Sequence, residues 1–244
     1  MVNTRASVLG EAALVSDWGA RSGRPLSGED VVAMSVKNSR SAFWATTFPR
    51  WSGLAALLGG LFCAVAAFLH SLEPVGCVLA ECDRGQPLRI GTPLIGALGA
   101  AASILILIGV AGLTVLGRGE GRHLRLANVG LTGNLIGFAL LAVASLIQTF
   151  LFDGDFPGMP YFVMPGVLAV IAGFALTGIF IIRSRVLPKW LGICLMVSSV
   201  ALLAANEQHQ TVLLAIPFGL AMMATGYFMW TAGRQPGVAR SRLA

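Results

Sequence analysis

Six stretches of the chain are apolar on every side and free of Asp, Glu, Lys and Arg: about 51–70, 92–117, 129–152, 163–182, 190–206 and 211–232. A membrane-crossing helix needs roughly 20 such residues, because the hydrocarbon layer is about 30 Å thick and a helix rises about 1.5 Å per residue. Lipid offers no partner to open backbone groups, so the pattern predicts helices. A β-barrel would show alternating segments of about ten residues, and these runs do not alternate. The expected fold class is all-α: a polytopic membrane helix bundle with six transmembrane helices. The fifth stretch is the shortest, and Ser198 and Ser199 interrupt it. A tilted half-span or a re-entrant segment is the alternative there.

The start of the odd-numbered stretches repeats. Trp51-Ser52-Gly53, Asn128-Val129-Gly130 and Trp190-Leu191-Gly192 each precede a second small residue seven positions on, at Gly60, Gly137 and Ser199. The even-numbered stretches carry Pro93, Pro165 and Pro217 near one end. Proline is well placed in a first helical turn, where its missing N–H leaves no bond unmade. Pro217 lies deeper and is expected to kink its helix. These features suggest three helical hairpins of similar build. Small faces at Gly133/Gly137, at Gly99/Ser103 and at Ala169/Gly173/Thr177 predict close helix packing, within the bundle or between copies.

Charge adds an orientation. Fifteen of the 17 Lys and Arg residues fall in one alternating set of connections: residues 1–50, 118–128, 183–189 and 233–244. The other set, 71–91, 153–162 and 207–210, holds only Arg84 and Arg89 among six acids. Basic residues stay on the cytoplasmic side of short loops, so both termini are expected in the cytoplasm. Trp51, Trp190 and Trp230 then share one interface. Residues 1–50 are read as a cytoplasmic region, partly disordered or lying on the membrane surface, and 233–244 as a cytoplasmic tail. The first apolar run starts only at Trp51, so the first span itself is expected to direct insertion into the plasma membrane.

Composition agrees: 56% of the 244 residues are apolar and 11% charged, and the net charge is +6. Mean hydropathy is +0.78. A soluble domain carries about 25% charged residues. The basic residues lie between apolar runs, which suits anionic headgroups rather than nucleic acid. The expected partners are the lipid bilayer and a membrane protein or further copies of the chain.

Candidate chemistry is sparse. Asn134, Ser145 and Gln148 share one face of the third helix at ideal spacing. Amides left unpaired in lipid are costly, so this face should point into the bundle. It would hydrogen-bond there to Thr177, Ser198 or Thr225, or line a path for a small solute. His70 and His209 flank connections on one side and are the only candidates for a metal or haem site, with Glu73, Glu81 or Glu207 near; two interfacial polar residues are the simpler account. Cys77 and Cys82 form a candidate disulfide in the 71–91 connection. Cys63 and Cys194 read as buried apolar fillers. No ionisable group lies inside any stretch, which disfavours proton relays and voltage sensors. Neither an H-E-x-x-H helix nor a phosphate-binding glycine loop occurs. The expectation is therefore a protein with no cofactor and no enzyme activity. The leading reading is a scaffold or accessory subunit. A carrier or channel for a small neutral solute and a haem- or redox-linked membrane protein are its alternatives.

One local motif resembles known proteins. Arg183-Ser-Arg-Val-Leu-Pro-Lys-Trp-Leu-Gly192 is similar to a loop-to-helix element, R-x-R-x-L-P-R-W-L-G, of multi-pass bacterial membrane proteins of unknown function; Lys189 stands here for an Arg. The Arg50-Trp-Ser-Gly start of the first stretch is similar as well. The resemblance implies a bundle of about six membrane helices and supplies no catalytic or binding residue.

Overall fold

The computed structural model describes residues 47–76, 89, 91–117, 124–152 and 158–232. The expectations for residues 1–46, for the 233–244 tail and for Cys77 and Cys82 lie outside these. Among the described residues the fold is all-α, with no strand. Its helices are α1 (Phe48–Ser71), α2 (Pro93–Leu116), α3 (Leu124–Leu151), α4 (Met159–Ser184), α5 (Lys189–Ala201) and α6 (Ala215–Ala232), with 3-10 turns at Leu202–Ala204 and Gln210–Leu214. Five of these units are long and apolar enough to cross a membrane, α6 being counted with the turn before it. The sixth, Lys189–Ala204, falls short of that length. At 16 residues it reaches only about 25 Å. The serines that interrupt its sequence cause no break. Ser198 and Ser199 are buried, and their hydroxyls donate to the carbonyls of Leu195 and Met196, at 3.2 and 2.9 Å.

α1 packs antiparallel on α2 and on α6, and α3 antiparallel on α4. The first two expected hairpins, α1–α2 and α3–α4, are extensive contacts; the third is not, because α6 packs mainly on α1 and α5 mainly on α4. The reason lies in the glycines. Gly53 and Gly60 on α1 meet Gly226 and Gly219 on α6 in two reciprocal pairs. A Cβ on Gly219 would lie 2.6 Å from the Gly60 carbonyl oxygen, and one on Gly53 would lie 2.9 Å from that of Gly226. The two backbones touch, and the seven-residue spacing on both helices repeats the contact two turns on. Gly178 and Gly192 join α4 to α5 in the same way, with Cβ-to-carbonyl distances of 2.6 and 2.5 Å. The Gly133/Gly137 face of α3 meets Gly166, Ala169, Val170 and Gly173 of α4.

Larger side chains fill what lies between these contacts. Phe174 of α4 is fully buried and stands edge-to-face with Phe138 of α3 and Phe218 of α6, with ring centroids 6.3 and 4.7 Å away. The bundle centre retains a cavity of about 10 Å³, lined mainly by Val110, Leu113, Leu195, Met222 and Met229, with Thr177 and Thr225 at its wall. That is close to the least volume that admits one water molecule, roughly 10–15 Å³.

The resembling motif has a local explanation. Arg185 closes α4 in the left-handed region at φ 56°, where its N–H donates to Ile181 O. Leu187 and Leu191 are buried on either side of the turn, and Pro188 caps α5. Tight reversal and the Gly178–Gly192 contact account for the motif without a ligand.

Three expectations change. Pro165 lies inside α4, because the helix starts earlier, at Met159 with Pro160 in its first turn. Pro217 sits in the first turn of α6, directly after the 3-10 segment Gln210–Leu214. Cys194 is exposed rather than buried, on the same apolar outer face of α5 as Ile193 and Val197.

A candidate site at the His70 end of the bundle

Two groups of polar side chains stand out from this apolar body. The first is a cluster at the end of the bundle where α1 finishes and α2 starts. His70 and Arg89 are both buried, at 7 and 8% exposure. His70 belongs to the last turn of α1, and Glu73 follows on the first non-helical stretch. The Glu73 carboxylate uses one oxygen, Oε1, to accept the Thr92 N–H at 3.2 Å, which fixes the start of α2. Its other oxygen, Oε2, faces His70 Nδ1 at 3.1 Å and Arg89 Nε at 3.9 Å. Neither contact is aligned as a hydrogen bond.

Arg89 is the hub. Its guanidinium donates to the carbonyls of Glu207, at 3.1 Å, and of Glu73. Its main-chain N–H donates to Gln208 Oε1 at 2.7 Å, and the Gln208 amide donates back to Arg89 O at 3.4 Å. The Gln208 side chain thus pairs with a peptide unit as a neighbouring strand would. Gly76 N–H donates to Gln208 O at 3.0 Å, and a Cβ on Gly76 would collide with this pairing, 2.5 Å from Arg89 N. His70 Nε2 reaches Glu207 O at 3.1 Å. Together these bonds tie Glu73, Gly76 and Arg89 to one another and to the turn before α6.

The second feature is Asn134. It is fully buried on α3 against the bare backbone of Gly173, and neither end of its carboxamide has a hydrogen-bond partner. The expected partners bond within their own helices: Thr177 to Gly173 O, Ser198 to Leu195 O and Thr225 to Ala221 O. The shared polar face also divides. Ser145 is exposed and Gln148 half-buried, both engaged elsewhere, because Ala144 takes the buried position at that level. A buried amide with no partner costs about 1–3 kcal/mol. Asn134→Leu, which keeps the number of side-chain heavy atoms, should therefore raise the melting temperature in detergent by about 2–4 °C, the shift of about 1 kcal/mol at this size. A fall of that size would mean the amide is bonded in the membrane.

Of the residues singled out from sequence, His70 enters the cluster and His209 is exposed. No group of three or more His, Cys, Asp and Glu is placed to hold a metal ion among the described residues. Arg89 and Gln208 were missed. The signal for Arg89 was present: a basic residue in a connection of the acidic set, two positions before Gly91. Gln208 offered none, since a side-chain amide that mimics a strand leaves no periodic trace.

No family model, curated protein or solved structure is significantly similar to the chain. Function therefore has to be argued from the geometry.

Proposed function

We infer that the chain is a non-catalytic membrane subunit whose role is to bind another membrane protein or a second copy of itself. One observation carries this reading. The glycines of α1, α3, α4, α5 and α6 each face a neighbour at close range, whereas Gly96 and Gly99 of α2 have no atom within 4 Å of a built Cβ. Ser103 turns its hydroxyl back to Gly99 O, at 2.9 Å, so this face carries no free donor toward lipid. In membranes, small faces are where helices meet. The half of α2 near Pro93 is built like the interfaces inside the bundle and, among the described residues, lacks a partner there.

The charge distribution supports six crossings of the plasma membrane with both termini cytoplasmic, which puts the His70 end outside. On this reading α5 crosses as a short helix, completed by the 3-10 turn. The family of R-x-R-x-L-P-x-W-L-G proteins is the proposed kinship. A carrier for neutral solutes is the rival, and it draws on Asn134 alone; the central cavity of about 10 Å³ does not accommodate a solute.

Gly99→Leu tests the reading, because a Cβ at this position has no heavy atom within 4 Å among the described residues. The variant should stay monodisperse and keep its melting temperature. It should lose the cross-linked or co-purified species seen with wild type in native-like membranes, by about tenfold, the loss of about 1.4 kcal/mol of packing. A wild-type chain that is monomeric and free of companions in those membranes counts against the proposal.

A further inference from the structure

We propose that the reversal between α4 and α5 binds an anionic phospholipid, with its phosphate at Arg183, Arg185 and Lys189 and an acyl chain along the outer face of α5. Among the described residues the only carboxylate side chains are Glu73 and Glu207, both at the His70 end. Arg89 is buried at that same end and is engaged by Glu73 and the Glu207 carbonyl. The other described Lys and Arg residues, Arg50, Arg125, Arg183, Arg185 and Lys189, are exposed at the opposite end. None of these side chains makes an ion pair or a hydrogen bond among the described residues. Their charge is left for something outside the bundle to compensate.

Three of these cations fall between positions 183 and 189. Arg185 ends α4 in the left-handed region at φ 56°, and Pro188 precedes α5, so the chain reverses over residues 185–188. The Gly178–Gly192 contact holds the two helices together beside this reversal. Arg183 follows Gly178, and Lys189 precedes Gly192, by about 7.5 and 4.5 Å along the helix axes. Cations from both helices thus stand at nearly one level, where they repel one another and an anion relieves the repulsion. No side chain caps the start of α5, so its first N–H groups add to the preference for negative charge.

The apolar surroundings decide which anion fits. Trp190 follows Lys189 directly and stands edge-to-face with Phe228 of α6, ring centroids 5.8 Å apart. Trp190, Ile193, Val197 and Val200 are exposed at helical spacing and form one stripe leading away from the cations. A phosphodiester lipid meets both features, charge at the reversal and acyl chain on the stripe. Free phosphate would use only the first, and a zwitterionic lipid mainly the second. Arg50 and Arg125 each stand singly at the start of a helix and supply general attraction to an anionic surface. The inference rests on the bundle lying in a bilayer and is independent of whether the chain binds a protein partner.

Native mass spectrometry of the full chain in detergent tests this, with titration by phosphatidylglycerol and by phosphatidylcholine of the same acyl chains. Each basic residue near an anionic surface strengthens binding about fivefold, so the wild type should prefer phosphatidylglycerol by at least about tenfold. In the triple variant Arg183→Gln, Arg185→Gly, Lys189→Gln the preference should vanish; glycine there keeps the left-handed turn. Arg125→Gln should retain it. A wild type without preference, or a triple variant that keeps it, overturns the proposal. So does an Arg125→Gln variant that loses as much as the triple variant, which would mean a diffuse field rather than a site. Inorganic phosphate, compared with chloride at equal ionic strength, should not displace phosphatidylglycerol; displacement would assign the reversal to a free anion and overturn the lipid. The melting temperature in phosphatidylcholine reports folding. Should the triple variant melt lower than wild type, Lys189→Gln alone decides: a loss of about fivefold supports the site, and unchanged binding overturns it.

Discussion

Gly219→Leu is expected to destroy the bundle. The position has no room: its Cβ would sit 2.6 Å from the Gly60 carbonyl oxygen and 3.1 Å from the Ala64 main-chain nitrogen and side chain. Backbone cannot rotate aside as a side chain does, so the α1 and α6 axes would have to separate. Overpacking of a filled core costs about 1–3 kcal/mol and occasionally more. Here the effect should reach about 3 kcal/mol or beyond, because parting the helices at one glycine pair also opens the pair two turns away, Gly53 with Gly226. Phe218, buried against Phe174, would move with it. The readout is the monodisperse fraction after detergent extraction and the melting temperature of what survives. Gly99→Leu, the same chemical change on a helix of the same bundle, should leave both unchanged. If the two variants behave alike, the glycine contacts described for α1 and α6 do not hold the fold together.

That contrast marks what the sequence could reveal. Each apolar stretch is helical, since length and absence of charge decide that before any packing is known. Which glycine meets which helix is a different matter. Gly133 and Gly99 look equivalent in sequence, each in a small-x-x-x-small pattern, yet among the described residues one touches α4 and the other touches nothing. Periodicity names a face but not its neighbour, and in a membrane both kinds of face are greasy. The same ambiguity misplaced Cys194, whose exposed surroundings on α5 are as apolar as the core. Helix ends were harder still. Leu124-Arg125-Leu126 and Met159-Pro160 already belong to helices although they lie outside the apolar stretches. Hydropathy tracks the hydrocarbon layer, whereas the helix stops where its backbone bonds stop. Asn134 was legible as an anomaly, but its expected partners were not its partners. Ser and Thr hydroxyls bond the carbonyl three or four residues back in their own helix, and Thr177, Ser198 and Thr225 all do so.

The cluster at His70 was the least legible, because it joins residues more than a hundred positions apart, and it leads to the second large effect. Arg89→Met should loosen Arg89's own segment from the turn before α6. The arginine side chain is 1% exposed and supplies bonds to two carbonyls, of Glu207 and Glu73, as well as charge facing the Glu73 carboxylate. Glu73 is only half-buried, so stranding its charge should cost less than it would in a fully buried pair, about 3–5 kcal/mol. The loss should be local. Among the described residues the cluster joins the end of α1, Arg89 and the turn before α6, so the melting temperature of the bundle should change less than the protease sensitivity of the segment that carries Arg89. Gln208 bonds the main chain of Arg89 rather than its side chain, at 2.7 Å from the N–H, and this pairing is formally open to methionine as well. Local opening in Arg89→Met would then come from the stranded carboxylate or from the lost bonds to the Glu207 and Glu73 carbonyls. The double variant with Glu73→Gln separates these causes. If the uncompensated charge dominates, adding Glu73→Gln should restore most of the protease resistance, a non-additivity of the size that neighbours in one network show, about 0.5–3 kcal/mol. Were the double variant as sensitive as Arg89→Met alone, the guanidinium's bonds to the two carbonyls, and not its charge, would be what holds the connection down.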